Sequence, residues 1–427
     1  MTNPTTLGKA LPIKYGKARN ESYGYVAESV PVYGSSGVIG EFNRALTTGP
    51  ALIVGRKGSA GSIHYSATPC WPIDTVYYAE APPDSTLHYF RYLLEHLRLG
   101  QHDKSTAIPS LGRDDYNAIP VMVPSLGDQE RVVAYLDEQL SRLDASVAAL
   151  HRVQANLKRY RASVLKSACE GRLVPNEAEL ARQEHRDFET GGQLLRRILI
   201  ERRLQHASSR KVREPTCLEA TPPKVPSGWE WCSLDQIAVE MRNGFGGKPE
   251  GDSGTRILRI SAVRALAVDM NDVRYLQGQS DLYASDLLCA NDLLFTRYNG
   301  SREFVGVCAV VPSLTEPTAH PDKLIRVRCI ASLALPSFIA LMASCGVSRA
   351  HLESRMRTTA GQSGISGSDL KSLPIPLPPL AEQHRIVAEA DRRLSLIRVA
   401  EAQVAANLAR AHRLRQSILS SAFAPEI

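Results

Sequence analysis

Two glycine-containing loops carry the side chains best suited to binding an acceptor-rich ligand. One loop spans residues 56–59 and the other spans residues 297–302, and each follows a short apolar run. An arginine fork fits guanine O6 and N7, an asparagine amide fits adenine N6 and N7, and glycine lets the backbone approach a ligand closely. The candidate nucleic-acid contacts in these loops are Arg56, Lys57, Ser59, Arg297, Asn299, Ser301 and Arg302.

A second polar loop follows in each half of the chain and adds five candidate contacts. They are Lys104 and Ser105 in the first half, and Arg357, Gln362 and Ser363 in the second. A structural role remains an alternative for Arg56 and Arg297, because a guanidinium can also bind loop carbonyls. The target that such side chains would read cannot be deduced from one sequence.

Catalytic motifs are missing from the chain. There is no GxxxxGK[ST] loop, and the nearest match has Pro249 where the Ser or Thr should stand. There is also no GxSxG elbow, no HExxH and no Asn/Asp-Pro-Pro-aromatic motif of amino-methyltransferases. A degraded nuclease pattern at Pro321-Asp322 and 369–371 is not repeated in the first half. We therefore expect no enzymatic activity, no metal site and no cofactor in this chain.

Composition and charge exclude several classes of protein. The chain has 427 residues, of which 43% are hydrophobic and 22% charged, as in ordinary globular proteins. It has neither an apolar run of ~18 residues nor a signal-peptide pattern, so we expect a cytoplasmic protein without a membrane partner. The net charge of +7 favours a polyanionic partner weakly, because the globular stretches are nearly neutral. Its eight cysteines form no CxxC pair and predict free thiols.

An internal repeat organises the chain. Residues 120–169 align with residues 374–423 without a gap, with 18 identities in 50 positions. Each copy opens with Pro-x-Leu-x-x-Gln-x-Arg-[Val/Ile]-Val, at 124–133 and 378–387. Such a match indicates a duplication.

Each copy of the repeat predicts one long helix. Apolar residues recur at alternating steps of three and four, from Val133 to Val164 and from Val387 to Ile418, which is a heptad seam. The prolines before each copy prevent an earlier helix start, and Gly171 is suited to end the first helix. A helix of about 43 residues is about 65 Å long. Equal lengths and matching seams favour pairing of the two helices over separate burial.

The remaining stretches predict two mixed α/β globules and a linker. The predicted fold class is α+β, in which two globular domains are joined by two long antiparallel coiled-coil helices in a pseudo-twofold repeat. The predicted boundaries are 1–124 and 226–378 for the globules, 125–170 and 379–427 for the long helices, and 171–225 for a linker with a short helix near 192–205. The first globule is shorter and lacks a counterpart of Gly228-Trp229, for which the sequence leaves two explanations: a lost structural strand, or a start codon chosen too late.

Together these motifs resemble the specificity (S) subunit of Type I restriction–modification systems. The resemblance rests on the duplicated block at 124–133 and 378–387, the helix end at 163–175, and the Pro-Ser-Gly-Trp at 226–229. The two arginine loops are similar to this family's target recognition domains. The order and duplication of the motifs are more specific than any single one.

The resemblance implies a non-catalytic adaptor for double-stranded DNA. Each globule would read one half of a bipartite target, while the helices would set the spacer and dock two methyltransferase (M) subunits. S-adenosylmethionine would be bound by those subunits, and ATP and magnesium by motor-nuclease (R) subunits, so none of these cofactors is expected on this chain. The helix residues assigned to docking or spacing are Gln129, Arg131, Arg161, Gln383, Arg385 and Arg415. The alternatives are a coiled-coil scaffold that binds only protein, an orphan or antirestriction specificity protein, and a self-contained restriction enzyme.

Overall fold

The structure, a computed structural model, describes residues 3–18, 29–102, 109–205, 213–220, 222–359 and 361–424. The chain divides into two compact units. The first unit consists of residues 1–154 and 403–427, and the second consists of residues 155–402. Each unit therefore contains a globule and a part of both long helices.

The first unit opens with a mixed set of short strands and helices. Their bounds are β1 (Asn3–Thr6), α1 (Leu7–Ala10), β2 (Lys14–Tyr15), β3 (Val30–Gly34), β4 (Gly37–Phe42), β5 (Ala51–Gly55), β6 (Ile63–Ser66), β7 (Trp71–Pro72), β8 (Val76–Glu80), α2 (Leu87–Leu97), α3 (Arg113–Ala118) and β9 (Pro120–Val123). The first long helix, α4 (Leu126–Cys169), follows.

The core of the first globule is an antiparallel sheet in the order β2-β8-β5-β6. Strand β5 is a continuous apolar run and is completely buried, as expected for a strand covered on both faces. The amphipathic helix α2 packs on this sheet through Leu87, Phe90, Leu93 and Leu94. A second sheet, in the order β4-β3-β7, has one parallel pair.

The second unit contains the central segment and the second globule. Its elements are α5 (Glu177–Gln183), α6 (Gly191–Gln205), β10 (Glu230–Ser233), α7 (Leu234–Ile237), β11 (Ala238–Asn243), β12 (Thr255–Leu258), β13 (Val263–Arg264), β14 (Ala267–Val268), β15 (Val273–Leu276), β16 (Leu293–Thr296), β17 (Tyr298–Asn299), β18 (Cys308–Val310), β19 (Thr318–Ala319), β20 (Leu324–Cys329), α8 (Pro336–Ala343), α9 (Gly346–Arg355), β21 (Arg357–Thr359), β22 (Gln362–Gly364), α10 (Gly367–Lys371) and β23 (Pro374–Leu377). The second long helix is α11 (Leu380–Ala422).

The two globules share their strand order. The main sheet of the second globule runs β11-β20-β16-β18 and is antiparallel, as in the first globule. The sheet β15-β12-β19 again has one parallel pair. Strand β1 pairs with β9 just as β10 pairs with β23. The possible loss of a strand from the first globule is therefore not observed.

The predicted long helices are confirmed. Helix α4 has 44 residues and α11 has 43. At Gly171, two residues beyond the end of α4, φ is +65°, which is the left-handed conformation that glycine accepts without strain. The prediction of a short helix near 192–205 is also confirmed, by α6.

The seam residues of the long helices are buried near the globules. In the first unit, Leu136 and Leu140 of α4 pack with Leu419 of α11. In the second unit, Val164 of α4 packs with Ile397 of α11. In the first unit, Leu140 of α4 packs in one cluster with Leu419 of α11. One turn later along α4, Asp144 forms an ion pair with Arg415, which lies one turn earlier along α11. The helices therefore run antiparallel there.

Two expectations from the sequence are corrected in the second unit. Cys169 and Cys345 form a disulfide between the end of α4 and the turn that joins α8 to α9, so not all cysteines are free. The linker predicted at 171–225 with one short helix contains an additional helix, α5, whose Ala178 and Ala181 are buried. A sequence with scattered cysteines and a polar composition gave no indication of either feature.

Candidate nucleic-acid interface

The loop after β5 is held in place by the backbone of Arg56. Its N–H donates to the carbonyl of Thr75 at 3.0 Å, and its carbonyl accepts from the N–H of Leu111 at 2.9 Å. The guanidinium lies over the rings of Tyr15 and Tyr77, at 5.3 and 6.0 Å from their centroids. Its buried Nε has no hydrogen-bond partner among the described residues.

The loop after β16 repeats this arrangement around Arg297. Its N–H donates to the carbonyl of Lys323 at 2.8 Å, and its carbonyl accepts from the N–H of Ile365 at 3.0 Å. The guanidinium lies 4.7 Å from the ring centroid of Tyr298, and its buried Nε is also unpartnered among the described residues. A Cβ at Gly364 would lie 2.1 Å from that ring, so only glycine allows Tyr298 to pack there.

These contacts bear on the alternative role of the two arginines. The carbonyls and N–H groups that fix each loop belong to the backbone, and within the described parts of the chain neither guanidinium binds a carbonyl or a carboxylate. The stacked ring limits the rotamers of each arginine. Each half therefore presents a preorganised cation whose terminal nitrogens can donate to a ligand.

In the second globule the predicted residues come together on one small sheet. The strands lie in the order β17-β22-β21, which places Asn299 opposite Ser363 and Arg357 opposite Gly364. Asn299 also accepts a hydrogen bond from the N–H of Ser301 at 2.9 Å, which shapes the loop. Arg302, exposed, donates to the carbonyl of Glu353 at 3.3 Å.

The exposure of these side chains differs. Ser301, Arg357 and Gln362 are exposed, so they can reach a ligand. Ser363 is only 7% exposed, and its hydroxyl is 3.0 Å from that of Thr358, so it supports the sheet. All the second-globule assignments remain predictions as DNA contacts.

In the first globule, Lys57 and Ser59 are exposed beside Arg56. Lys57 forms an isolated β-bridge with Ser110, so the chain shortly after the predicted second polar loop lies beside the first loop. The predicted contacts Lys104 and Ser105 lie outside the described residues.

The two glutamines assigned to docking have equivalent contacts inside the chain. Gln129 accepts from the N–H of Thr86 at 3.1 Å and donates to the carbonyl of Pro124 at 3.0 Å. Gln383 accepts from the N–H of Leu335 at 3.0 Å and donates to the carbonyl of Pro378 at 3.1 Å. Both side chains are at most 1% exposed. Each one joins the start of a long helix to the start of α2 or α8, and neither is on the surface.

Two of the arginines assigned to the helices link α4 with α11. Arg161 pairs with Glu401 at 2.9 Å in the second unit, while Arg415 pairs with Asp144 at 2.9 Å and with Glu95 at 3.0 Å in the first. Both occupy seam positions, where their stems pack and their charges reach the opposite helix. They contribute to the pairing of the helices on which a fixed spacer would depend.

The remaining two arginines have different surroundings. Arg131 is exposed and pairs with Asp128. Arg385 pairs at 2.6 Å with Glu177, which is buried and also binds Arg186. Of these docking residues, Arg131 is the one whose exposure suits contact with a partner.

A buried carboxylate near Arg385 was not recognised in the sequence. Glu382 is fully buried and accepts hydrogen bonds from the Trp229 indole at 2.9 Å and from the Glu177 N–H at 2.9 Å. Burial raises the pKa of the Glu382 carboxyl above its ordinary value, and these hydrogen bonds oppose the change. Glu382 therefore connects α11 with the central segment, a role that its repeat counterpart Asp128 lacks.

In the described part of the chain, no three His, Cys, Asp or Glu side chains lie together in a group that could hold a metal ion. None of the helices described has the length and apolar character needed to cross a membrane.

A known protein-family model matches the first globule and the start of α4. The family model "Type I restriction modification DNA specificity domain" matches residues 6–156. This part of the chain is therefore similar to a Type I DNA specificity domain. The resemblance to specificity subunits of Type I restriction–modification systems is thereby confirmed.

Curated relatives agree with this domain. The chain is 33% identical over 342 residues to the Type I restriction enzyme EcoKI specificity subunit of Escherichia coli K12, covering 80% of this chain and 64% of that protein. It is 24% identical over 347 residues to the StySPI specificity subunit of Salmonella potsdam, covering 81% of this chain and 65% of that protein. The chain thus spans less than two thirds of the length of these relatives.

The fold also resembles a solved structure. One chain from a structure on complex assembly and conformational transition of the type I R-M system aligns with a TM-score of 0.59 and 15% identity. The alignment covers 100% of this chain and 98% of the other. At this identity the likeness concerns the fold.

Proposed function

We propose that the chain is the DNA sequence-specificity subunit of a Type I restriction–modification complex. The observation that carries the proposal is the pair of stacked guanidiniums of Arg56 and Arg297, which form no ion pair with the described residues. They follow equivalent strands of two sheets with the same order. Cations held this way suit the acceptor pair of a guanine edge in the major groove. The specificity-subunit relatives support this assignment.

In this proposal each globule reads one half of a bipartite target. The first recognition domain would span residues 1–124 and the second residues 226–378, with the helices 125–170 and 379–427 as spacers and 171–225 as the central linker. The matched strand orders and the 254-residue offset of the helices support a pseudo-twofold repeat. The readers differ in side chains, so the two half-sites should differ in sequence.

The chain itself would be non-catalytic and would act in the cytoplasm as part of a larger assembly. Two methyltransferase subunits would dock on the helices and supply S-adenosylmethionine chemistry on adenine. Motor-nuclease subunits would supply ATP- and magnesium-dependent cleavage. The absence of catalytic sequence motifs supports this division of roles.

The first test concerns partners. Because the globules are nearly neutral, the purified chain can neutralise few phosphates and should bind DNA weakly and without useful specificity. Adding two methyltransferase subunits encoded beside it should create tight, sequence-specific binding, measured by fluorescence anisotropy. Specific nanomolar binding by the chain alone would contradict the adaptor proposal.

The second test uses the arginines as a reciprocal pair. Arg297→Ala should weaken recognition of one half-site and Arg56→Ala that of the other, each by ~1–3 kcal/mol. Lysine should not rescue either variant, because it lacks the planar fork. The readout is binding of the complex to duplexes mutated in one half at a time. Equal loss at both halves would contradict the two-reader proposal, and loss of folding would favour structural roles for the arginines.

A further inference from the structure

The first globule has a cluster of cations and aromatic rings that the sequence did not reveal. Tyr15 on β2 is 46% exposed, and two guanidiniums lie near its ring centroid: Arg56 at 5.3 Å and Arg113 at 5.4 Å. Tyr77 on β8 contacts the same ring edge-on, at 5.1 Å between centroids. Residues far apart in sequence thus meet at one exposed place.

The cluster is fixed by its own hydrogen bonds. The Tyr77 hydroxyl donates to the carbonyl of Leu111 at 3.1 Å, and Arg113 donates to the carbonyl of Ile13 at 3.2 Å. Burial raises the pKa of Tyr77 to about 12, so this hydroxyl remains a donor at neutral pH. The bond from Arg113 leaves other N–H groups of its fork for a ligand.

The charge of the cluster is not neutralised by the described residues. No ion pair joins Arg56 or Arg113 to a carboxylate in the described part of the chain. By contrast, Lys14, which lies next to Tyr15 on β2, pairs with Glu80 at 2.9 Å. Two guanidiniums that approach one ring repel each other, and the negative face of the phenol offsets only part of this repulsion. An anion placed between them would relieve it.

The equivalent place in the second globule lacks the cluster. In the first sheet, Tyr15 of β2 pairs with Tyr77 of β8. In the second sheet, Asn243 of β11 takes the place of Tyr15, and Ile325 of β20 takes the place of Tyr77. Arg113 opens α3, and at the repeat offset Gly367 opens α10. The paired guanidiniums are therefore a feature of the first globule.

We propose that Arg113, which Tyr15 holds beside Arg56, binds a phosphate of the DNA backbone next to the base edge that Arg56 would read in the first half-site. This inference rests on the proposed function and assigns Arg113 and Tyr15 for the first time. A phosphate next to Arg113 would supply the anion that relieves the repulsion between the two guanidiniums, and backbone contacts of this kind fix register. Tyr15 acts as a positioning residue that holds both guanidiniums.

The test measures how binding of the complex depends on salt. The full chain with its two methyltransferase subunits is titrated against a duplex that carries the methylated target, at about 50 to 200 mM salt. Arg113→Gln removes one phosphate contact, so the slope of log affinity against log salt should become shallower by about 0.9, a difference of about 3.5-fold over this range. Lys9→Gln removes a charge elsewhere in the same globule, on α1, and should leave the slope unchanged.

Two tyrosine variants test the positioning role. Tyr15→Phe keeps the ring and should retain the wild-type slope, whereas Tyr15→Leu should shift the slope in the direction of Arg113→Gln. An Arg113→Gln complex with an unchanged slope would overturn the phosphate assignment, as would a changed base preference in the first half-site. If the wild-type complex shows no sequence-specific binding, the proposed function itself fails, so the two failures are distinguishable.

Discussion

The buried amide of Gln383 provides a stringent test of how the long helix holds its recognition domain. Replacing it by leucine preserves approximate volume but removes the acceptor for the Leu335 N–H and the donor to the Pro378 carbonyl. The Pro378 carbonyl then stays buried without this donor, and the half-buried Leu335 N–H loses this acceptor. Each such group costs about 1–3 kcal/mol, and about 3 kcal/mol in total is a conservative expectation.

The assay is thermal unfolding of the purified chain. The second unit spans residues 155–402, and for a unit of this size about 3 kcal/mol corresponds to a Tm lower by roughly 6–12 °C. His384→Ala, at the exposed neighbouring position, should change Tm by less than about 2 °C and serves as the control. Gln129→Leu should produce a comparable loss in the first unit.

One outcome would refute this reasoning. The sequence assigned Gln383 to docking a methyltransferase subunit, and a pure docking residue would leave Tm unchanged while abolishing co-purification with that subunit. An unchanged Tm with lost co-purification would therefore overturn the structural role inferred from burial. A lower Tm with co-purification retained below the new transition would support it.

Three further predictions follow from other contacts. Thiol counting in denaturant should give six reactive cysteines without reductant and eight after reduction, whereas a chain with both Cys169→Ser and Cys345→Ser should give six in either case. Eight reactive cysteines in the unsubstituted chain without reduction would contradict the disulfide. The pKa of Glu382 is raised by burial in the folded state, so the contribution of this carboxyl to stability falls as pH rises from about 4.5 through the folded-state pKa. Glu382→Gln should therefore flatten the decline in Tm over this pH range. An equally steep decline in Tm in the variant would contradict the assignment of this decline to the buried Glu382 carboxyl. If the long helices set the spacer, inserting one heptad after Leu150 and one after Val404 should lengthen each helix by about 10 Å. The methylated motif should then gain about three base pairs between unchanged half-sites. An unchanged spacer in an active variant would exclude this role of the helices.

The sequence was sufficient where periodicity or local chemistry decided the structure. The long helices, their seam and the helix end at Gly171 follow from spacing and from one glycine. The strand β5 and helix α6 follow in the same way. In the second globule, the predicted polar residues around Asn299 do meet on one sheet.

Other features depended on contacts between distant residues and could not be predicted. The burial of Gln129 and Gln383 requires knowing that a second helix begins beside each long helix. The cluster around Tyr15 joins four segments separated by tens of residues. The first clue to the glutamines was in the repeat itself, since an identical polar residue in both copies suits an inward-facing position as well as a docking one.

The central claim is that each globule reads one half of a bipartite DNA target. Its most direct test is the genome-wide pattern of methyl-adenine in cells whose chain carries another recognition domain in place of residues 226–372. The proposal predicts a bipartite motif in which one half is new and the other half is unchanged. A change in both halves would contradict the two-reader account, as would a motif that does not depend on this gene.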